Sequence, residues 1–166
     1  MKYKLRLFIC LFIMNTCFSW AFGMFSDDNE PKTSLDGSMS IQSKHTVPDT
    51  MDQFEKAIRS EGFRVLERID YQRIASLAGE SISPIEVIRF TKPGVLVPIL
   101  IVKPIASLGF PMEAAVWADK EGNTALTWFP TMSIVKKYEI TDAPLLLKHL
   151  ENIDEVLAKV VREAVN

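Results

Sequence analysis

The stretch HTVPDTMDQFEKAIRSEGFRVLERID, residues 45–70, decides the fold. Thr46 suits a helix N-cap, because its hydroxyl can accept a hydrogen bond from a free first-turn N–H. Pro48 fits the first turn, where a missing N–H costs little, and Asp49 and Asp52 complement the positive end of the helix dipole. Met51, Phe54 and Ile58 recur at three and four residues with Val47 and Ala57 beside them, making one apolar stripe. Gln53, Glu55, Lys56 and Arg59 fall on the opposite, wet side. Gly62 then offers the left-handed residue that closes a helix. Beyond it the period becomes two: Phe63, Val65 and Ile69 alternate with Arg64, Arg68 and Asp70, and Leu66 interrupts the alternation. A helix joined so tightly to a strand packs back on the sheet that holds the strand, so its stripe is core.

Working outward toward the N-terminus, residues 1–23 read as a secretory signal. Lys2, Lys4 and Arg6 form a basic start, Leu7–Phe18 an apolar run, and Ser19-Trp20-Ala21 or Ala21-Phe22-Gly23 a small-residue cleavage site. The apolar run is short against the roughly 20 residues a bilayer span needs, which favours cleavage over a retained anchor. Cys17 follows Met14-Asn15-Thr16, without the small residue that precedes a lipidated cysteine. The domain is therefore expected in the periplasm or outside the cell, the alternative being an uncleaved leader that tethers it to the inner membrane.

Cys10 and Cys17 both lie in the leader, so the mature chain is expected to hold no disulfide, thiolate nucleophile or cysteine metal site. Loss of Lys2, Lys4 and Arg6 moves the formal net charge from −2 to −5. With no basic patch, nucleic acid is a poor partner. Residues 24–40 are polar and rich in turn formers and read as a flexible linker, spanning roughly 20 Å as a coil. The remaining residues, 41–166, suffice for one domain.

Ile41–His45 can form a first strand ahead of the helix. Tyr71–Ala78 reads as one or two helical turns and Ile85–Phe90 as a strand opened by Pro84. Pro93-Gly94 reads as a turn. Val95–Val102 is the most apolar run of the mature chain; its β-branched residues favour a strand, whereas Pro98 can begin a short helix. Met112–Ala118 and Ala125–Trp128 read as a hairpin around residues 119–123. Ser133 can cap a short helix to Tyr138. Thr141 or Asp142 can cap a last helix, with Leu146, His149, Leu150, Ile153, Leu157, Val160, Val161 and Ala164 on one stripe. The class is α+β: a single domain with a mixed sheet of about five strands and helices before, between and after them.

In that order and spacing, Thr46 through Gly62-Phe63, Ile69-Asp70, Ala75, Gly79, Pro84, Phe90, Pro93, Pro98, Pro104, Phe110-Pro111 and Val116-Trp117-Ala118-Asp119 resemble the domain-of-unknown-function 302 family of bacterial proteins. The resemblance runs from about Ile41 to Tyr138. It implies a small α+β domain, often exported and able to dimerise, with no assigned activity, and it places Pro98 at the start of a short helix. The chain departs from the family pattern at Tyr71, Thr91-Lys92, Leu96, Val97, Ile101 and Gly109, so a polar site shared by relatives at those positions is disrupted here.

His45 and His149 lack metal-ligand spacing, and no zinc or copper site is expected. No GxSxG elbow, GxGxxG or GxxxxGK[ST] motif is present, and no cofactor is expected. Trp117, Trp128 and Phe129 read first as cross-strand core packing and second as an apolar pocket wall. Asp70, Tyr71 and Lys92, with Trp117, are the candidate ligand-contacting residues because strand-end polar groups can line a cleft. Leu96, Val97 and Ile101 are the candidate interface, since their run is more apolar than a short surface helix requires. The first functional reading is a non-catalytic homodimeric module that binds a small apolar ligand or a periplasmic protein. The alternative is a periplasmic enzyme, a hydrolase using Asp70 and Tyr71 as acid and base.

Overall fold

The computed structural model describes residues 30–141 and 143–166. The expected signal at 1–23, the first part of the expected linker and Asp142 lie outside the described residues.

The organising stretch folds as its chemistry dictates. Helix α1 spans Val47–Ser60. The Asp49 N–H donates to Thr46 Oγ1 at 3.4 Å, and the Thr46 hydroxyl donates back to Asp49 Oδ2 at 2.6 Å. Gly62 closes the helix at φ +80°, with the Phe63 N–H reaching back to the Ile58 carbonyl at 3.1 Å. Strand β3 (Arg64–Asp70) follows. Its register shifts between Val65 and Glu67, so Leu66, the residue that interrupts the alternation, is a β-bulge.

Before α1 come β1 (Lys32–Thr33) and β2 (Met39–Ser43). After β3 come α2 (Tyr71–Leu77), β4 (Ile85–Thr91), α3 (Pro93–Val102), a 3₁₀ segment (Pro104–Gly109), β5 (Met112–Ala118), β6 (Thr124–Trp128), α4 (Thr131–Lys137) and α5 (Pro144–Val165). The class is α+β. Among the described residues the strands form one six-stranded sheet in the order β1-β2-β6-β5-β4-β3.

Every ladder is antiparallel rather than mixed. The β2–α1–β3 unit reads like a crossover between parallel neighbours, and β2 and β3 do run the same way. However, α1 carries the chain across the whole sheet, and β6, β5 and β4 fill the gap. The sixth strand arises in the stretch expected to be linker. Lys32 pairs with Ser40, and β2 begins at Met39. Asp36 makes that turn by accepting from the Ser38 N–H at 2.9 Å and the Ser38 hydroxyl at 2.7 Å, and these bonds pull its carboxyl below the usual range.

Helices α1 and α5 cover one face of the sheet. Met51, Phe54 and Ile58 from α1 meet Ile88, Phe90, Val116 and Leu126 from the strands, and Leu150, Ile153 and Leu157 from α5 close the layer. Phe90 receives the rings of Phe54 and Phe63 edge-on, with centroids at 5.8 and 5.6 Å. His149 leaves the α5 stripe and is exposed, its place in the core contact taken by the neighbouring Leu150. At the sheet edge, Arg68 bonds Glu86 on β4 and Asp52 on α1, stapling the helix to the strands.

Three helix starts differ from the sequence reading, one of them α5, whose N-cap is Ala143, without a side-chain bond, rather than Thr141 or Asp142. Helix α3 begins at Pro93, not Pro98, because the Lys92 carbonyl accepts from both the Val95 and Leu96 N–H groups at 2.8 and 3.0 Å. Pro93 then occupies a first-turn position, and Pro98 sits inside the helix, where it forgoes one backbone bond. Helix α4 begins at Thr131 with Pro130 in the cap position, not Ser133. Its first turn is held instead by Asp154 of α5, whose carboxylate accepts from Thr131 N–H (2.6 Å), Met132 N–H (3.0 Å) and the Thr131 hydroxyl (2.8 Å).

Candidate functional site

The expected cluster of Asp70, Tyr71, Lys92 and Trp117 does not assemble. Asp70 is opposite Glu86 on β4. Lys92 lies six residues further on, about 20 Å away at strand rise. Each side chain has its own local task. Asp70 caps α2, accepting from the Arg73 N–H at 2.9 Å. Tyr71 opens that helix, 41% exposed. Lys92 donates to the Glu61 carbonyl at 2.9 Å and sits 4.9 Å above the Phe63 ring, closing the turn after α1. Trp117 lies on the opposite sheet face from Glu86, half-buried, its indole N–H donating to Thr127 Oγ1 at 3.0 Å. Thr127 bonds Ser40 in turn, so a polar chain runs over three strands. Trp128 is core, and Phe129 is exposed on a cleft wall.

Asp70 borders an open polar hollow of about 460 Å³ with Arg73, Ser76 and Glu80. Further concavity gathers at the other end of the sheet, where β4 ends, β5 begins and β6 ends. Phe110-Pro111, joined by a cis peptide bond, divides it into two recesses. The larger is an open cleft of about 760 Å³ between the Leu35–Gly37 turn, the sheet and α4. On its floor Arg89 donates to Glu113 at 2.8 Å and to Glu67 at 3.4 Å. The bond to Glu67 and the charge of Glu113 hold the guanidinium pKa above its ordinary value. One guanidinium thus faces two carboxylates, Phe129 and Leu108 are apolar walls, and Lys136 and Lys137 form a basic rim.

The smaller recess, about 200 Å³, lies between α3, the Leu66 bulge and Phe110-Pro111. Leu96 and Leu100 form its wall and Thr91 reaches it from the last position of β4. Gly109 lets the 3₁₀ segment close against α4: a Cβ there would meet Ile134 Cγ2 at 3.0 Å and Tyr138 Cε2 at 3.1 Å. That contact accounts for a glycine before Phe110-Pro111 in this chain.

The candidate interface residues lie on the outside of the same end. Val95 and Ile99 point into the core, whereas Val97 and Ile101 are exposed and Leu96 is half-buried. Val102, Ile105 and Leu108 continue the exposed apolar surface into the 3₁₀ segment. Among the described residues no helix is long and apolar enough to cross a membrane, and no group of three or more His, Cys, Asp or Glu side chains converges as metal ligands would. The Asp154 contact was missed in sequence, since a carboxylate 22 and 23 residues from its N–H partners carries no local signal.

Comparison with known proteins agrees with the fold. The crystal structure of the uncharacterized conserved protein DUF302 from Bacillus stearothermophilus superposes with a TM-score of 0.65 at 17% identity, over 76% of this chain and 98% of that one. Fluoride-specific ion channel FluC 1 of Brucella suis biovar 1 (strain 1330) is 30% identical over 91 residues, which is 55% of this chain and 36% of that protein. Fluoride-specific ion channel FluC 2 of Brucella melitensis biotype 1 (strain ATCC 23456 / CCUG 17765 / NCTC 10094 / 16M) matches at the same identity over 34% of its length. The chain thus spans about a third of the length of these curated relatives. The model of the family described as "Domain of unknown function DUF302" matches residues 39–162, and the chain belongs to that family.

Proposed function

We propose that the domain is a non-catalytic binding module acting as a homodimer outside the cytoplasm, with a second copy covering α3 and the 3₁₀ segment that follows. One observation carries this reading. Val97, Ile101 and Leu108 are 53%, 76% and 73% exposed in a stretch whose one charge is Lys103. A helix apolar on all sides calls for cover on all sides, and the domain's own core takes only Val95 and Ile99. A two-fold axis through such a patch is self-complementary, because apolar surface meets its own copy.

The area sets the strength. The ten residues of α3 extend about 15 Å and the 3₁₀ segment about 12 Å more, a patch short of the ~800 Å² per partner of a standard interface. An interface of that size falls with the weak, transient class, so association is sought at micromolar concentration. The occurrence of a similar 91-residue stretch within longer proteins named as ion channels fits a module that works by association.

Sedimentation velocity over the micromolar range tests this. The expected result is a concentration-dependent dimer that Ile101→Glu abolishes with the melting transition retained. A monomer throughout that range overturns the proposal. N-terminal sequencing of the protein recovered from the cell tests the leader, which is expected to be absent.

A further inference from the structure

We propose that the larger cleft binds an organic anion with an apolar body, a medium-chain carboxylate, its head group at Lys136 and Lys137 and its chain against Leu35, Leu108 and Phe129. The inference goes beyond the dimer and does not rest on it. Leu108 is shared with the α3 patch, whereas Leu35, Phe129 and both lysines lie outside α3 and the 3₁₀ segment.

Three large apolar side chains that the fold leaves in water line this one cleft. Leu35 is fully exposed in the turn between β1 and β2, Leu108 is 73% exposed and Phe129 is 47% exposed. One exposed leucine is ordinary, but three such side chains around one concavity mark a surface that a ligand covers. The volume of about 760 Å³ lies within the roughly 300–1,000 Å³ of small-molecule sites.

Charge sets the head group. Arg89 already faces Glu67 and Glu113, and Asp36 accepts from the Ser38 N–H and hydroxyl, so the floor and the turn carry no unmet positive charge. Lys136 and Lys137 differ. Among the described residues neither has a carboxylate within ion-pair distance, and Lys137 lies 5.3 Å from the Tyr138 ring centroid. Two adjacent uncompensated cations, in a chain of formal net charge −2, make this wall the place for an anion. Lysines in the last turn also offset the α4 dipole. That accounts for the cations alone and not for the apolar walls beside them. Both ammonium groups stay hydrated at the rim, so each contributes modestly and the chain supplies most of the affinity.

Octanoate, octan-1-ol and octylammonium, one chain with three head groups, test the assignment by amide chemical-shift titration of the isotope-labelled protein. Saturable shifts at Leu35, Gly37, Glu113, Ser133 and Lys136 are expected, tightest with octanoate and weakest with octylammonium, and acetate should give none. Lys136→Gln with Lys137→Gln is expected to weaken octanoate about three- to tenfold while leaving octan-1-ol unchanged. Lys56→Gln with Lys148→Gln, the same charge change on α1 and α5, should leave octanoate unchanged. Phe129→Ser should weaken octanoate and octan-1-ol alike, with the melting transition retained because the ring is exposed. Titrating Ile101→Glu as well separates this result from the fate of the dimer. Equal affinity for the three head groups, octanoate shifts confined to α3, or undiminished octanoate affinity in Lys136→Gln with Lys137→Gln overturns the proposal, as does the absence of saturable shifts.

Discussion

Replacing Asp154 with alanine should cost this domain about 3 kcal/mol. The carboxylate lies between α5 and α4 and takes two N–H groups of the α4 first turn together with the Thr131 hydroxyl. No side chain of α4's own cap residue, Pro130, makes such a bond. Hydrogen bonds to a charged group contribute roughly 1.5–3 kcal/mol each, and their removal here leaves first-turn donors beside a fully buried Thr131. The Thr131 hydroxyl retains the Leu150 carbonyl at 3.2 Å, which keeps the total near the lower end of the sum. Asp154→Asn keeps one acceptor oxygen and should cost about half as much. Urea unfolding followed by circular dichroism reads both, as a lower midpoint at unchanged slope. The sign of the pH dependence also follows. Burial raises the Asp154 pKa more than the Met132 and Thr131 bonds lower it. Between the unfolded value of about 3.9 and the raised folded value, the native state binds more protons, so this group's contribution falls as pH rises through that window. Asp154→Asn should lack that slope. A loss below about 1 kcal/mol in Asp154→Ala, or identical pH profiles in wild type and Asp154→Asn, would refute the argument that this carboxylate anchors α4.

Three further outcomes follow from the same geometry. Arg68→Ala leaves the nearly buried Glu86 without its cation and should lower stability by about 2–3 kcal/mol, read as a fall in the urea midpoint; Arg68→Ala with Glu86→Gln should recover part of it. Gly109→Ala must displace Ile134 or Tyr138 and should cost about 1–3 kcal/mol in the same assay, with the larger cleft changed in shape and amide shifts concentrated on α4. Thr91→Val, by removing a buried unpaired hydroxyl, should raise the ligand-free melting temperature, a gain of about 1 kcal/mol.

The α+β class and most elements were legible because their signals are local. Thr46, the Met51–Phe54–Ile58 stripe and Gly62 lie within one helix, and Leu66 broke a period-two pattern where the bulge stands. What escaped were long-range facts. The order of strands depends on where α1 sets the chain down, and the sequence of α1 specifies its stripe but not its landing point. The same holds for the Lys32–Ser40 pair, whose polar residues look like linker until they meet the sheet edge. Asp70 and Lys92 share a strand-end character, yet they sit at opposite ends of one ladder, so composition joined what geometry separates. Helix α3 was ambiguous because its β-branched residues favour a strand whereas Pro98 can begin a helix, while the capping carbonyl of Lys92 that fixes its start is invisible in residue types.

The pairing of β2 with β6 joins Met39 to Trp128 and Ser43 to Thr124. During synthesis the early strand therefore has only the two-residue β1 beside it until three-quarters of the polypeptide has left the ribosome, and until then the backbone groups that face β6 stay solvated. The β3–β4–β5–β6 meander can form by short steps, but closure of the sheet waits for a long excursion to end, which makes strand insertion from the N-terminal side the slow event in maturation.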